Sequence, residues 1–227
     1  MPFGGNDWLA LTPEPTLEPE LPICDPHHHF WDFRTERMPY QRYLLHELAS
    51  GNFRAGARVL ARLGLCLENT LYFPQLPELA AFAKAIPDLT IISNHIGGLM
   101  RVGPYANRDT EVLATWRRGI AAVAECPNVM MKLGGIGMPR TGFDWHTRQK
   151  PIGSEALAEA MAPWMTYRIE QFGPNRCMFE SNFPVDKVSY SYNVLYNAFK
   201  RLSKDYSAAE RAALIHDTAA RVYRIDV

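Results

Sequence analysis

Cysteine is scarce. The four residues Cys24, Cys66, Cys126 and Cys177 are spread along 227 positions, and no C-x-x-C pair occurs. That spacing argues against a disulfide framework. Each thiol lies in or beside an apolar run and is expected to be a free, buried structural side chain. An excess charge of either sign is also missing: 24 Lys and Arg balance 24 Asp and Glu. A neutral chain argues against a general nucleic-acid binder. There is no run of roughly 18 apolar residues, so no membrane-spanning helix is expected. The acidic, proline-rich first 20 residues hold no apolar stretch, so no signal peptide is expected and the default location is the cytoplasm. Phosphate-cradling loops of the G-x-x-x-x-G-K-[ST] and G-x-G-x-x-G kinds are absent, as is a G-x-S-x-G nucleophile turn.

What is present fits a globular chain. Hydrophobic residues make up 47% and charged residues 21%, enough apolar side chains for a core and too many for a disordered chain. Residues 1–20 read as an extended arm, and residues 21–227 as the folded domain. Apolar, strand-like runs at 21–27, 65–71, 89–94, 128–133 and 176–181 alternate with helical patterns at 53–63, 76–86, 109–125, 154–172, 188–202 and 207–223. Asp109 is a plausible N-cap, and Pro163 is expected to kink or split its helix. Strand–helix alternation predicts about five parallel βα units. In such folds functional groups gather at the carboxyl ends of the strands.

Four constellations occupy those ends. In Asp25-Pro26-His27-His28-His29, strand alternation puts His27 and His29 on one side and His28 on the other. Paired imidazoles can grip a divalent cation or polarise a carbonyl. His95 precedes Gly97-Gly98, which leave room for close approach. Glu180 and Asn182 share strand parity, with Asp186 in the loop beyond; a carboxylate there can activate water. Lys132 and Glu68 lie in apolar strands, and each either serves a substrate or pairs with an opposite charge. His46, His146 and His216 have no supporting pattern, and Tyr190, Tyr192 and Tyr196 read as a helical packing stripe.

Together, Asp25-x-His27-x-His29, His95-Ile-Gly and Ser181-Asn182-Phe183-Pro184 resemble the amidohydrolase superfamily. The likeness is closest to its amidohydrolase-related branch, which includes lactonases of the 2-pyrone-4,6-dicarboxylate and L-fuconate types. Phrases such as DPHHHFWD, CPNVMMKLGG, RCMFESNFPVDK and TAARVYR carry it over most of residues 20–225. The resemblance implies a (β/α)8 TIM-barrel-like fold and hydrolysis of a lactone or similar cyclic ester. Its expected metal ligands are His27, His29 and His95, holding one divalent cation (zinc or manganese), although a metal-free route also exists among lactonases. Its expected catalytic group is Glu180, Asn182 and Asp186, with Lys132 and His28 binding a small-molecule substrate. Metal-dependent decarboxylation, or an inactive remnant, are the alternatives.

Two departures stand out. Asn182 falls where many members carry Asp, and an amide cannot act as a general base. The chain is also short of the roughly 250 residues of a complete barrel. The strands match a family's first and fifth to eighth, so three βα units, on the order of 90 residues, are expected to be missing near residues 48–53. Raw sheet edges would follow, and pairing with a second copy, a homo-oligomer, is one way to close them.

Overall fold

A computed structural model describes residues 5–27, 48 and 50–226. Four strands form one parallel sheet: β1 (Cys66–Asn69), β2 (Thr90–Ser93), β3 (Val129–Leu133) and β4 (Cys177–Phe179). They lie side by side in chain order, with Leu67 opposite Ile91, Ile92 opposite Met130, and Lys132 opposite Met178. Before the sheet come the short turn α1 (Asn6–Leu9) and α2 (Gly51–Arg62). Helices α3 (Leu76–Ala85), α4 (Asp109–Ala124) and α5 (Ser154–Phe172) connect successive strands. After β4 come α6 (Tyr192–Leu202), α7 (Ala208–Ala212), a π-helical turn (Ala213–Asp217) and α8 (Thr218–Tyr223). A parallel pair needs such a crossover, because its strands start at the same end of the sheet.

Side-chain alternation explains why the strand sequences look the way they do. Ile91, Val129, Met131, Leu133, Cys177 and Phe179 join one hydrophobic core with Leu79, Trp116, Leu157, Met161 and Phe199 from the helices. The intervening positions Ile92, Lys132, Met178 and Glu180 are buried too, but stand outside that cluster. Both faces are thus covered, the general condition of a parallel sheet, and the second face is where the charged residues sit.

Among the described residues four strands pair, not the five expected. The stretch 21–27 forms no ladder. Pro22 and Pro26 have no N–H to contribute, the Cys24 N–H donates to the Ile215 carbonyl, and the Pro26 carbonyl accepts from Lys132 Nζ. Pro163 does not split α5, which runs unbroken to Phe172. Pro163 and Glu159, whose carbonyl loses its partner, are both exposed, so water can satisfy that carbonyl. Asp109 is the first residue of α4 rather than its N-cap, and its carboxylate binds Arg101. The helix expected from 188 starts at Tyr192, because the Ser191 side chain caps it by accepting the Val194 N–H. Tyr190 therefore lies outside it. Ser50 caps α2 in the same way, next to the expected junction at 48–53.

The N-terminal arm lies against α5 and α6. Glu14 Oε1 accepts the Ser154 N–H at 2.7 Å, and Asn197 bonds both the Pro15 carbonyl and the Leu17 N–H. Lys200 Nζ donates to the carbonyls of Leu17 and Glu18. These contacts explain why Asn197 and Lys200 can be buried on α6.

Candidate active site

The carboxyl ends of β2 and β4 bring three expected residues together. Glu180 is fully buried and accepts from His27 Nδ1 at 2.9 Å on Oε2, and from His95 Nδ1 at 2.8 Å on Oε1. The same Oε1 accepts the His95 backbone N–H at 2.9 Å. Burial by itself would raise the Glu180 carboxyl, but His95, His27 and Lys132 outweigh it and hold it well below the usual carboxylate range. Glu180 is therefore ionised at neutral pH.

The backbone makes space for this cluster. A Cβ at Gly134 would collide with Glu180, and one at Gly135 would lie 2.7 Å from His95 Cβ. His95 itself has φ 55°, a left-handed conformation that turns the chain at the end of β2. Asp25 anchors the histidine segment. Its Oδ1 accepts the N–H groups of His27 and Ser181, and its Oδ2 accepts the Tyr192 hydroxyl. The sequence reading gave Asp25 no role, although an Asx bond to the N–H two residues on is a recognisable signal.

Asn182 and Asp186 form a second layer. The Asn182 Nδ2 donates to Asp186 Oδ1 at 2.6 Å, and Asp186 Oδ2 accepts from the Gly137 N–H at 2.9 Å and the Tyr190 hydroxyl at 2.6 Å. Burial pushes the Asp186 carboxyl up to about 6, against those hydrogen bonds. Both Asp186 oxygens are thus engaged, one by Asn182 and the other by Gly137 and Tyr190. Tyr190 belongs to this layer and not to a packing stripe.

Lys132 is paired with an acid. Lys132 is 1% exposed and donates to Glu68 Oε2 and the Pro26 carbonyl, both at 2.9 Å. The Tyr223 ring lies beneath its ammonium and the Tyr223 hydroxyl binds Glu68. His28, His29 and His46 lie outside the described residues. His216 pairs with the exposed Asp217.

Arg168 was missed. It is fully buried, and its guanidinium meets the carbonyls of Trp164, Lys132 and His95 together with two methionine sulfurs. Burial draws it down to about 10, so it stays charged at neutral pH. The signal was an arginine on the apolar stripe Leu157, Met161, Met165, Ile169, Phe172 of α5.

The pattern that defines the amidohydrolase family (Amidohydro_2) matches residues 38–225. The chain belongs to the amidohydrolase family. It is 38% identical over 173 residues to the uncharacterised protein y4mH of Sinorhizobium fredii, covering 76% of this chain and 52% of that protein. Over 152 residues it is 30% identical to the L-fucono-1,5-lactonase of Burkholderia multivorans, covering 66% of this chain and 48% of the lactonase. A crystal structure of a Burkholderia multivorans amidohydrolase with bound zinc superposes with a TM-score of 0.68 at 27% identity, over 80% of this chain and 60% of that one. The chain thus spans about half the length of these curated relatives. The four-stranded sheet is an incomplete version of the family's TIM-barrel-like α/β fold.

The cluster also suits a metal chemically. His27, His95 and Glu180 offer two imidazole nitrogens and a carboxylate oxygen, all within 4.8 Å of one another. That is a donor set zinc accepts. Binding at Nδ1 would displace the hydrogen bonds to Glu180, because one nitrogen cannot hold a proton and a metal together. In this family member the same three residues can serve either arrangement.

Proposed function

We propose that the chain hydrolyses a lactone or a similar cyclic ester through the His27–Glu180–His95 cluster. One observation carries the reading: in a member of the amidohydrolase family, a buried, ionised carboxylate braces two imidazoles at the carboxyl end of the sheet. With Nδ1 of His95 donating to Glu180, its Nε2 keeps the lone pair and can take a proton from an attacking water. Water then adds to the lactone carbonyl, the ring C–O bond breaks, and the released alkoxide takes the proton back to give the hydroxy acid. Glu180 holds the protonated ring as its charge develops. In the alternative arrangement, where His27, His95 and Glu180 hold one divalent ion (zinc or manganese), His95 would no longer serve as the base and the ion would supply Lewis-acid polarisation of the carbonyl. The lactone class is supported by the fuconolactonase relative.

The test is a lactone panel including L-fucono-1,5-lactone, followed by acid release, with the wild type and His95→Ala. It is run after chelation and again with added zinc or manganese. Turnover is expected in the wild type, with a loss of at least about 100-fold in the variant. Equal rates would remove the cluster from the mechanism. Release of carbon dioxide from an acid substrate, with no lactone turned over, would point instead to decarboxylation.

A further inference from the structure

We infer that Asp186 is a positioning residue: it fixes the Asn182 amide so that the oxygen of that side chain, not its NH2 group, is turned toward the reacting end of the site. The inference rests on the hydrolytic reading of the histidine cluster and extends it to the corner beyond β4.

Three features constrain the amide. An ionised carboxylate accepts hydrogen bonds and donates none, so Asn182 can face Asp186 only through Nδ2, as the 2.6 Å contact shows. The amide is planar, which turns Oδ1 to the other side. No donor among the described residues is bonded to that oxygen. Asp186 in turn cannot swing away. It is fully buried, and the Gly137 N–H and Tyr190 hydroxyl hold its second oxygen. Gly137 is needed there, since a Cβ would sit 2.8 Å from the Tyr190 hydroxyl and 3.0 Å from Asp186 Cγ. Asn182 has φ 54°, a left-handed conformation Asn tolerates better than most residues.

The arrangement gives the Asn182 departure a physical meaning. The corner keeps one carboxylate, but four residues on and sealed behind an amide. The group presented to substrate is a neutral acceptor. It can hold the hydrogen of a water or of a substrate hydroxyl, and it takes no proton. A ligand that donates a hydroxyl beside the carbonyl, as a polyhydroxylated lactone does, fits that acceptor.

Two variants of the full chain test this: Asp186→Asn, and the exchange Asn182→Asp with Asp186→Asn. The first removes the reason for the amide to face one way. The second restores a carboxylate–amide pair in reverse and still leaves an oxygen facing outward. With L-fucono-1,5-lactone, Asp186→Asn is expected to lower kcat by roughly 10- to 100-fold with little change in KM, the scale of a misplaced group. The exchange variant is expected to recover most of that loss. The Asn182 side-chain amide, read by 15N NMR, should show one strongly hydrogen-bonded proton in the wild type and lose it in Asp186→Asn. A wild type without that signal, or an exchange variant no better than the single one, overturns the inference. So do variants that merely melt earlier with kcat unchanged. If the wild type turns over no lactone, the hydrolytic reading fails separately and the NMR signal alone decides the orientation. If Asp186→Asn does not fold, the wild-type signal and the rate of the exchange variant decide it.

Discussion

Lys132→Met separates a structural lysine from a substrate anchor. The lysine side chain is 2% exposed and the Glu68 side chain 36% exposed, with their charged atoms 2.9 Å apart. Breaking a fully buried pair by removing one partner costs about 3–5 kcal/mol. Here the stranded charge is Glu68, which reaches solvent and keeps the Tyr223 hydroxyl, so solvent screening cuts the penalty. Methionine also fills most of the volume of the lysine stem. About 2 kcal/mol is the expected loss, or roughly 4–8 °C in Tm for a chain of this size. The pH dependence has a definite sign. Burial would raise the Glu68 carboxyl, yet Lys132 and the Tyr223 hydroxyl bring it below its ordinary value. A depressed carboxylate contributes stability above its unfolded pKa of about 4.3 and loses it as pH falls through the folded value. The gap between wild type and Lys132→Met should therefore be full at pH 7 and narrow below about pH 4.3. Differential scanning calorimetry across pH measures it. An unchanged Tm together with a tenfold rise in KM for a carboxylate-bearing lactone would refute the reasoning and return Lys132 to substrate binding.

Two further substitutions probe the backbone. Gly134→Ala puts a methyl group into Glu180, which is pinned by two imidazoles and cannot yield; overpacking of about 1–3 kcal/mol is expected, with weaker zinc binding by titration calorimetry, and normal stability and affinity would contradict the crowding. Pro163→Ala should raise Tm, since α5 is already continuous there and an exposed interior proline costs up to about 3 kcal/mol relative to alanine; a lower Tm would mean that the proline packs in a way its exposure denies.

The parts of this chain that were legible in the sequence are those whose cause is local. The three crossover helices and α2 follow from apolar spacing, whereas α1 falls in the stretch expected to be an extended arm and the helix expected over 207–223 is α7, a π-helical turn and α8; β2 and β3 announce themselves through the runs around Ile91-Ile92 and Val129-Met130-Met131. The failure at 21–27 is also local in origin. An apolar run predicts a strand, but Pro22 and Pro26 each remove a donor, the Cys24 N–H goes to the Ile215 carbonyl, and the Pro26 carbonyl goes to Lys132. Motif spacing found His27, His95 and Glu180, the last two because they follow closely on β2 and β4. It could not assign their roles, which depend on distances across the sheet: Glu180 looked like a free base, and the structure places both its oxygens against imidazoles.

The same distinction explains Arg168 and Asp186. Arg168 is 73 residues from His95 in sequence, and only the packing of α5 against β3 and β4 brings its guanidinium to the carbonyls of His95, just past β2, and Lys132, within β3. A buried cation facing them, with Glu180 beyond, places positive charge behind the histidine cluster and negative charge within it. Asp186, four residues past Asn182, completes the pattern on the other side with a sealed anion. Arg168 and Asp186 thus meet backbone carbonyls, an amide and a hydroxyl rather than each other, and in the proposed mechanism the proton transfer is left to His95.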